Sequence, residues 1–302
     1  MATAQFGRVI TAMITPFTED GAVDYESAVA LAKHLVAHGS EGLLVGGTTG
    51  EGATMTAEEK LKLYTLIVDA VGKRGEGKKV PVMGNIGTIS TADTIAFGNK
   101  AKETGIDCAL VIVPFYVKPN QEGMYQHFTA VAKGVDLPLV LYNVPGRTGV
   151  SIQPETIKRI VDECPNVVGI KDATGNWDQV TKEKALLPED FMIYSGDDAF
   201  TLPVLLAGGV GIISVSAHVI GDDMLAMVDA FEKGDLAIAR ELHLKMYEIN
   251  KGMFFTASPT PVKTATNLVG QPGGHFRLPM VEPTEAEKAK VRQMLENYGG
   301  LL

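Results

Sequence analysis

Eight short apolar runs recur along the chain, and a segment with helical periodicity follows each of them. Each run is apolar at consecutive positions, which is typical of parallel strands that are covered on both faces. Their spacing of roughly 20–40 residues suits a repeating unit of strand, loop and helix. The runs are 9–17, 42–50, 79–87, 108–116, 137–146, 167–175, 191–198 and 211–217. Eight such units predict a (β/α)₈ TIM barrel, with an open doubly wound sheet as the alternative.

The helices are predicted by their end signals. Thr56 and Glu59 have the spacing of a capping box, and the helix that they open is expected to close at Gly72. Another helix is expected from Asp24 to Gly39. Beyond about residue 222 the pattern is helical throughout, so we expect a barrel over 1–221 and a C-terminal all-helical extension over 222–302.

Composition narrows the class of protein. A formal charge of −9 and a pI of about 5.2 argue against binding to nucleic acid or to a membrane surface. The chain has no apolar stretch of transmembrane length, and 1–10 lacks a secretory pattern, so we expect a cytoplasmic protein. The two cysteines, Cys108 and Cys164, form no CxxC motif, and the histidines lack the spacing of metal ligands. We therefore expect neither a metal nor a cofactor.

Lys171 stands at the end of an apolar strand, in the sequence NVVGIKDATG. In a barrel this position lies on the rim of loops that carries function. An amine in a poorly solvated site has a lowered pKa, and a neutral amine can form a Schiff base with a carbonyl substrate. The alternative is a lysine that is paired with a neighbouring acid such as Asp172.

Two other rim segments carry groups that could hold a carboxylate. The sequence GGTTGEG offers backbone N–H groups and the hydroxyls of Thr48 and Thr49, although it could also be no more than a tight turn. The sequence YNVPGRTG brings Tyr142, a possible proton donor or acceptor, and Arg147, whose guanidinium matches a carboxylate or forms a surface salt bridge.

The remaining rim segments are less specific. Tyr116 lies in a loop stiffened by prolines, where it could touch a partner subunit. The aspartates of SGDD, Asp197 and Asp198, are best explained as caps of the following helix, and a divalent metal site there has little support. Together the amine, hydroxyls, tyrosine and arginine suggest an aldolase-type enzyme that acts on an oxo-acid without metal or nucleotide.

The four motifs GGTTGEG, YNVPGRTG, GIKDATGN and SGDD, in this order and spacing, resemble the 4-hydroxy-tetrahydrodipicolinate (dihydrodipicolinate) synthase family. This family belongs to the pyruvate-dependent class I aldolase-like barrels, together with the N-acetylneuraminate lyases, and the likeness covers nearly the whole chain. The resemblance implies that pyruvate condenses with L-aspartate 4-semialdehyde on Lys171, a step of lysine and diaminopimelate biosynthesis. It also implies a homotetramer built as a dimer of dimers.

The resemblance assigns further roles to rim residues. Tyr142, Thr48 and Tyr116 would form a proton relay, with Tyr116 reaching into the neighbouring subunit's site. Thr49 would hold the pyruvate carboxylate, and Arg147 would receive the carboxylate of the aldehyde substrate. The backbone of Gly196 and Ile213 would line the pyruvate pocket.

The chain departs from the lysine-inhibited branch of the family. That branch has a second tyrosine where this chain has Phe115, histidines near the positions of Ala57 and Lys60, and an asparagine in place of Ile89. We therefore expect inhibition by L-lysine to be weak or absent.

Three other functions stay open at this point. An N-acetylneuraminate lyase or a 2-keto-3-deoxy-sugar-acid aldolase would use the same imine, although the lyases generally lack an arginine at the position of Arg147. A catalytically dead barrel kept for binding would be expected to have lost some of these groups. A phosphate-binding barrel enzyme lacks the expected features around strands seven and eight.

Overall fold

The eight apolar runs form the strands of a closed parallel barrel in the computed structural model, which describes residues 3–75 and 77–302. Neighbours pair in chain order, and β8 closes the ring against β1. The strands of the described chain are β1 Val9–Ala12, β2 Gly42–Val45, β3 Val82–Asn85, β4 Cys108–Ile112, β5 Leu139–Asn143, β6 Val167–Asp172, β7 Met192–Ser195 and β8 Gly211–Ser214. The predicted fold class is thus confirmed, and the alternative of an open doubly wound sheet is wrong.

Helices alternate with the strands and then continue alone after β8. In chain order they are α1 Tyr25–Ala37, α2 Ala57–Ala70, α3 Thr91–Glu103, α4 Gln121–Gly134, α5 Pro145–Thr148, α6 Pro154–Glu163, α7 Trp177–Leu186, α8 Thr201–Leu206, α9 Ala217–Glu232, α10 Leu236–Gly252, α11 Thr260–Leu268 and α12 Glu285–Tyr298. A 3₁₀ turn, Asp198–Phe200, precedes α8.

The helix ends follow the capping signals closely. Thr56 accepts a hydrogen bond from the Glu59 N–H and receives the reciprocal side-chain bond, which completes the predicted capping box. Two predicted helices end a little early, at Ala37 and Ala70, because the residue that follows each of them already acts as the cap before the glycine.

The core has two parts, as both faces of the strands are buried. Side chains such as Ile10, Leu110 and Tyr194 fill the interior of the barrel. Residues of the opposite strand face, such as Val82 and Leu141, pack against the surrounding helices. Cys108 is fully buried in the interior cluster, as the sequence predicts for a small apolar residue.

The C-terminal part is helical, as expected, but its helices start earlier than residue 222. Helix α9 begins at Ala217 and runs across the predicted boundary between 221 and 222, with a break in helical geometry at Ile220. Helix α10 packs on α9, and α12 packs on both α10 and α11. The division into 1–221 and 222–302 stays a prediction. Across 3–75 and 77–302, no helix is both long enough and apolar enough to span a membrane.

Candidate active site

A cavity of about 340 Å³ opens beside the C-terminal ends of the strands. Four of the eight predicted site residues line it, namely Thr48, Thr49, Tyr142 and Lys171. Strands β5 and β6 and the connection between β2 and α2 supply them. A volume of this size is sufficient for a small organic acid. The barrel therefore brings the amine and the hydroxyl groups to one enclosed place.

Lys171 lies near the end of β6 with only 5% of its surface exposed. Its register partner on β5 is Tyr142, and the Lys171 Nζ atom lies 4.5 Å from the centre of the Tyr142 ring. Burial disfavours the charged form and lowers the pKa of Lys171 from 10.5 to about 8. At pH 7 a pKa of this size leaves roughly a tenth of the amine neutral, against about 0.03% for an ordinary lysine.

Two further charges act on this amine. The carboxylate of Asp198 opposes burial and raises the pKa of Lys171, whereas the Arg147 guanidinium lowers it. Asp198 is itself 1% exposed and accepts hydrogen bonds from the N–H groups of Val215 and Ser216, at 3.0 and 3.2 Å. It therefore links the end of β7 to the end of β8. Of the two aspartates predicted as caps, Asp197 is the one that caps the 3₁₀ turn, because its side chain accepts a hydrogen bond from the Ala199 N–H.

The alternative explanation of Lys171, a pair with Asp172, does not hold. One oxygen of Asp172 accepts a hydrogen bond of 2.9 Å from the Thr174 N–H. The carboxyl group of Asp172 also meets the fully buried carboxyl group of Glu183. Burial and then the negative charge of Asp172 raise the pKa of Glu183 well above its ordinary value, which favours the protonated form of Glu183. The acid beside Lys171 in sequence thus belongs to a separate carboxyl pair.

Tyr142 is the second functional group of the cavity. Its hydroxyl is hydrogen-bonded to the hydroxyl of Thr48, and burial raises its pKa to about 12. Tyr142 therefore holds its proton at neutral pH. The neighbouring Thr49 is 6% exposed and lines the same cavity. Three hydroxyl groups, those of Tyr142, Thr48 and Thr49, thus lie in the lining of one cavity.

The other four predicted residues lie outside the lining of the cavity. Arg147 is exposed on α5, close enough for its charge to act on Lys171 and Tyr142. Ile213 is fully buried on β8, in the interior cluster that also holds Tyr142. Gly196 donates its N–H to the Asp172 carbonyl, and a Cβ at this position would come within 2.7 Å of the Ala173 Cβ.

Tyr116 stands apart from the site of its own chain. It is 87% exposed, and its φ of 65° places it in the left-handed region that few non-glycine residues adopt. The following Lys118 also has a positive φ, of 46°. The loop after β4 thus exposes Tyr116 to solvent in a left-handed backbone conformation. Its predicted place in a partner's site stays a prediction.

Sequence reasoning missed several residues of this region. Asn85, at the end of β3, donates a side-chain hydrogen bond of 3.1 Å to the Gly46 carbonyl, and its own carbonyl accepts one from Tyr64. A polar residue at a strand end is the signal that could have pointed to it. The ion pair between Glu51 and Lys263 was also missed, although Lys263 is the only charged residue of helix α11.

Among the residues that the structure describes, no three histidine, cysteine, aspartate or glutamate side chains are placed to hold a metal ion. The groups that do converge are a partly neutral amine and several hydroxyls. A neutral amine attacks a carbonyl carbon, and hydroxyls supply and remove the protons that this chemistry needs.

Comparison with known proteins assigns the family. The model of the dihydrodipicolinate synthetase family matches residues 5–298. The chain belongs to this family. A curated 4-hydroxy-tetrahydrodipicolinate synthase of Heliobacterium modesticaldum is 48% identical over 295 residues, which cover 98% of this chain and 96% of that protein. Another from Desulforamulus reducens is 44% identical over 297 residues, covering 98% and 99%.

Solved structures of the dihydrodipicolinate synthase family have the same fold. The enzyme from Cyanidioschyzon merolae with lysine bound superposes with a TM-score of 0.94 at 41% identity, covering 98% of this chain and 99% of that one. The Bacillus anthracis enzyme superposes with a TM-score of 0.92 at 42% identity, with the same coverage of both chains. The family, the function and the lyase class predicted from the sequence are confirmed by these relatives, whereas the roles of individual residues stay predictions.

Proposed function

We propose that this enzyme condenses pyruvate with L-aspartate 4-semialdehyde and that Lys171 carries the pyruvate as an imine. The single observation that supports this role best is the burial of the Lys171 amine in the cavity, with its pKa lowered to about 8. A neutral nitrogen can attack the keto carbon of pyruvate, and loss of water then gives the imine.

The later steps use the same nitrogen. Loss of a proton from the pyruvate methyl group gives an enamine, whose carbon attacks the aldehyde of the second substrate. The amino group of that substrate then attacks the imine carbon, which closes the ring and releases Lys171 as a free amine. Every bond made to the enzyme in the first half of the reaction is thus broken in the second half, and no cofactor enters the balance.

Proton transfer is assigned to the hydroxyl chain. Tyr142 lies against Lys171 and is hydrogen-bonded to Thr48, so it can deliver and recover the protons of imine formation. Thr49 has the place and the chemistry to hold the pyruvate carboxylate through its hydroxyl and N–H groups. The backbone of Gly196 and Ile213, at the ends of β7 and β8, would bound the pyruvate pocket.

Arg147 is proposed to receive the carboxylate of L-aspartate 4-semialdehyde. Its exposure on the short helix α5 suits a substrate that arrives from solvent. Its charge already acts on Lys171 and Tyr142, so a carboxylate bound there would partly cancel its lowering of the Lys171 pKa. Guanidinium groups bind carboxylates through two parallel hydrogen bonds, which also orients the substrate.

We further propose a homotetramer, built as a dimer of dimers, in the cytoplasm. Tyr116 supports the dimer: a tyrosine held in a left-handed conformation and left 87% exposed lacks an evident role within one chain. In a dimer its hydroxyl would complete the relay of Tyr142 and Thr48 in the neighbouring site.

Borohydride trapping tests the proposal. The enzyme is incubated with pyruvate, reduced with borohydride and measured by intact mass, and the reduced pyruvate adduct is expected on Lys171. Lys171→Ala should give no adduct. The absence of an adduct in the wild-type enzyme, or an adduct that persists in the variant, would contradict the mechanism.

A second measurement addresses the substrate. Turnover of pyruvate with L-aspartate 4-semialdehyde is compared with cleavage of N-acetylneuraminate and of a 2-keto-3-deoxy-sugar acid. We expect turnover only in the first assay. If pyruvate is trapped on Lys171 but the enzyme cleaves a sugar acid, the imine mechanism stands and L-aspartate 4-semialdehyde is not the second substrate.

A further inference from the structure

Lys263 is the most deeply buried charge of the C-terminal helices. It lies on α11 with 0% of its surface exposed, and its Nζ atom donates a hydrogen bond to Glu51 Oε1 at 2.6 Å. A second bond goes to the carbonyl of His275. The ring centres of Phe17 and Phe276 lie 4.5 and 5.0 Å from the same nitrogen. The amine is therefore shielded from water and directed at Glu51.

Glu51 is held in an unusual backbone conformation at the other end of this pair. Its φ is 52°, in the left-handed region, and only 4% of the residue is exposed. Its second carboxylate oxygen accepts a hydrogen bond of 3.3 Å from the Arg277 N–H. A conformation of this kind persists where the surroundings determine it, and here both carboxylate oxygens are fixed by the C-terminal region.

Glu51 belongs to the segment that presents the hydroxyls of the active site. In the loop 46–52 its N–H donates to the Thr48 carbonyl at 3.0 Å, and the Gly52 N–H donates to the Gly47 carbonyl at 3.0 Å. The loop is also anchored by neutral groups, of which Thr15 donates to the Gly50 carbonyl at 2.7 Å. The negative charge of the loop is thus placed two residues after Thr49.

A second cation of the C-terminal region holds the next part of the same connection. Arg277 donates hydrogen bonds to both oxygens of Glu59, at 2.8 and 2.9 Å, and to the Thr54 carbonyl at 3.0 Å. Residues 51–59 are therefore fixed at three points by residues that follow the barrel. This arrangement makes the C-terminal helices a support of the loop rather than a separate layer.

We infer that Lys263 is a positioning residue for pyruvate binding: through Glu51 it fixes the loop that carries Thr48 and Thr49. The inference rests on the proposed function, because it takes Thr49 as the group that holds the pyruvate carboxylate. A change at Lys263 therefore acts on the pyruvate site from outside the cavity, through a pair of buried charges.

The test separates positioning from a structural role. A pair that only stabilised the fold would change the amount of active enzyme, and with it the apparent kcat, but not the pyruvate concentration at half-saturation. Loss of positioning raises that concentration in the molecules that are folded. Half-saturation is measured both as KM for pyruvate and as the pyruvate dependence of borohydride trapping.

Lys263→Met removes the amine and keeps most of the apolar length. We expect it to raise the half-saturating pyruvate concentration at least about tenfold, since small misplacements of binding groups have effects of this size or larger. Glu51→Asp keeps the charge but shortens its reach by one methylene group, and should shift half-saturation in the same direction. The double variant Glu51→Gln/Lys263→Met leaves no unpaired buried charge, and it is measured if Lys263→Met does not fold. Its half-saturating pyruvate concentration should also exceed that of the wild type.

Lys245→Met is the matched control, because Lys245 also forms an ion pair, of 2.6 Å with Asp223, but lies away from the loop. The half-saturating pyruvate concentration of Lys245→Met should equal that of the wild type. An unchanged half-saturating pyruvate concentration in folded Lys263→Met would overturn the inference; if that variant does not fold, an unchanged value in Glu51→Asp and in the double variant would do so. Wild-type enzyme that traps no pyruvate would contradict the proposed function instead, so the two failures are distinguishable.

Discussion

Lys171 and Tyr142 are register partners on adjacent strands, and the amine of the first lies over the aromatic ring of the second, 4.5 Å from its centre. The ring face attracts a cation, while burial of the same amine favours its neutral form. Because both strands are parts of a closed barrel, neither side chain can move far from the other. The predictions below start from this desolvated amine.

Replacement of Lys171 by methionine should stabilise the protein while it abolishes adduct formation. The pKa of Lys171 is about 8 in the folded chain and about 10.5 in an unfolded chain, so the folded chain loses this proton at a lower pH. Below pH 8 this difference costs the wild type stability, so Lys171→Met should raise the free energy of unfolding at pH 7 by about 3 kcal/mol.

The sign of this effect also fixes its pH dependence. Between pH 8 and 10.5 the unfolded wild type holds more protons than the folded form, so wild-type stability rises with pH and the advantage of Lys171→Met shrinks. Urea denaturation at pH 7 and at pH 9.5 measures both values. The exposed Lys245→Met serves as control. A variant that is less stable than the wild type at pH 7 would contradict the role assigned to burial.

Tyr116→Phe should lower kcat by about 10², the usual scale for loss of a group that transfers protons. The half-saturating pyruvate concentration in the trapping assay should change less than twofold, because Tyr116 lies outside the cavity that holds Lys171. Tyr247→Phe, at a tyrosine that is 46% exposed on α10, is the matched control and should keep wild-type turnover. Wild-type kcat in Tyr116→Phe would argue against a relay that crosses an interface.

Glu183→Gln should make the protein more stable at neutral and alkaline pH. Burial and the charge of Asp172 raise the pKa of Glu183 in the folded state. Protonated Glu183 therefore contributes its full stabilisation below about pH 4.5, and this stabilisation is lost as pH rises through the folded-state pKa. Glutamine keeps the hydrogen bond from Gln179 and can donate to Asp172 without ionising.

The difference in unfolding free energy between Glu183→Gln and the wild type should therefore be smallest below about pH 4.5 and grow as pH rises to 8. Thermal and urea unfolding across this range measure it, with Glu241→Gln on the exposed face of α10 as control. A difference that stays constant with pH would contradict the raised pKa of Glu183.

L-Lysine at millimolar concentration should reduce the initial rate less than twofold. Phe115, Lys60 and Ile89, three of the positions that depart from the lysine-inhibited branch, line the same cavity as Lys171. A lysine amine placed there would meet the Lys60 ammonium and the apolar Ile89 rather than polar partners. Ala57 lies on α2, outside this lining. A steep fall in rate at sub-millimolar L-lysine would overturn the prediction.

The sequence predicts the barrel well because its signals are local. Thr56 and Glu59 are three residues apart, and consecutive apolar residues mark each strand, so elements and their order follow from short stretches. Lys171 is predictable for the same reason: a charged residue at the end of an apolar strand is visible without any long-range information.

The parts that the sequence did not predict depend on distant contacts. Nothing near Glu51 indicates that its partner is 212 residues away, and Asp198 reads as a helix cap until β8 is placed beside it. The carboxyl group of Asp172 likewise meets Glu183 only after α7 has packed on β6. Such pairs arise only when whole elements pack on one another, which no local pattern encodes.

The separation of Glu51 from Lys263 bears on the order in which a growing chain becomes an enzyme. On the ribosome the first strands emerge long before α11, so Glu51 has no buried partner until most of the protein has been synthesised. A nascent or prematurely terminated chain can thus hold every residue of the cavity and still present a loose loop. On the inference drawn for Lys263, competence to bind pyruvate would arrive only after α11 has been synthesised.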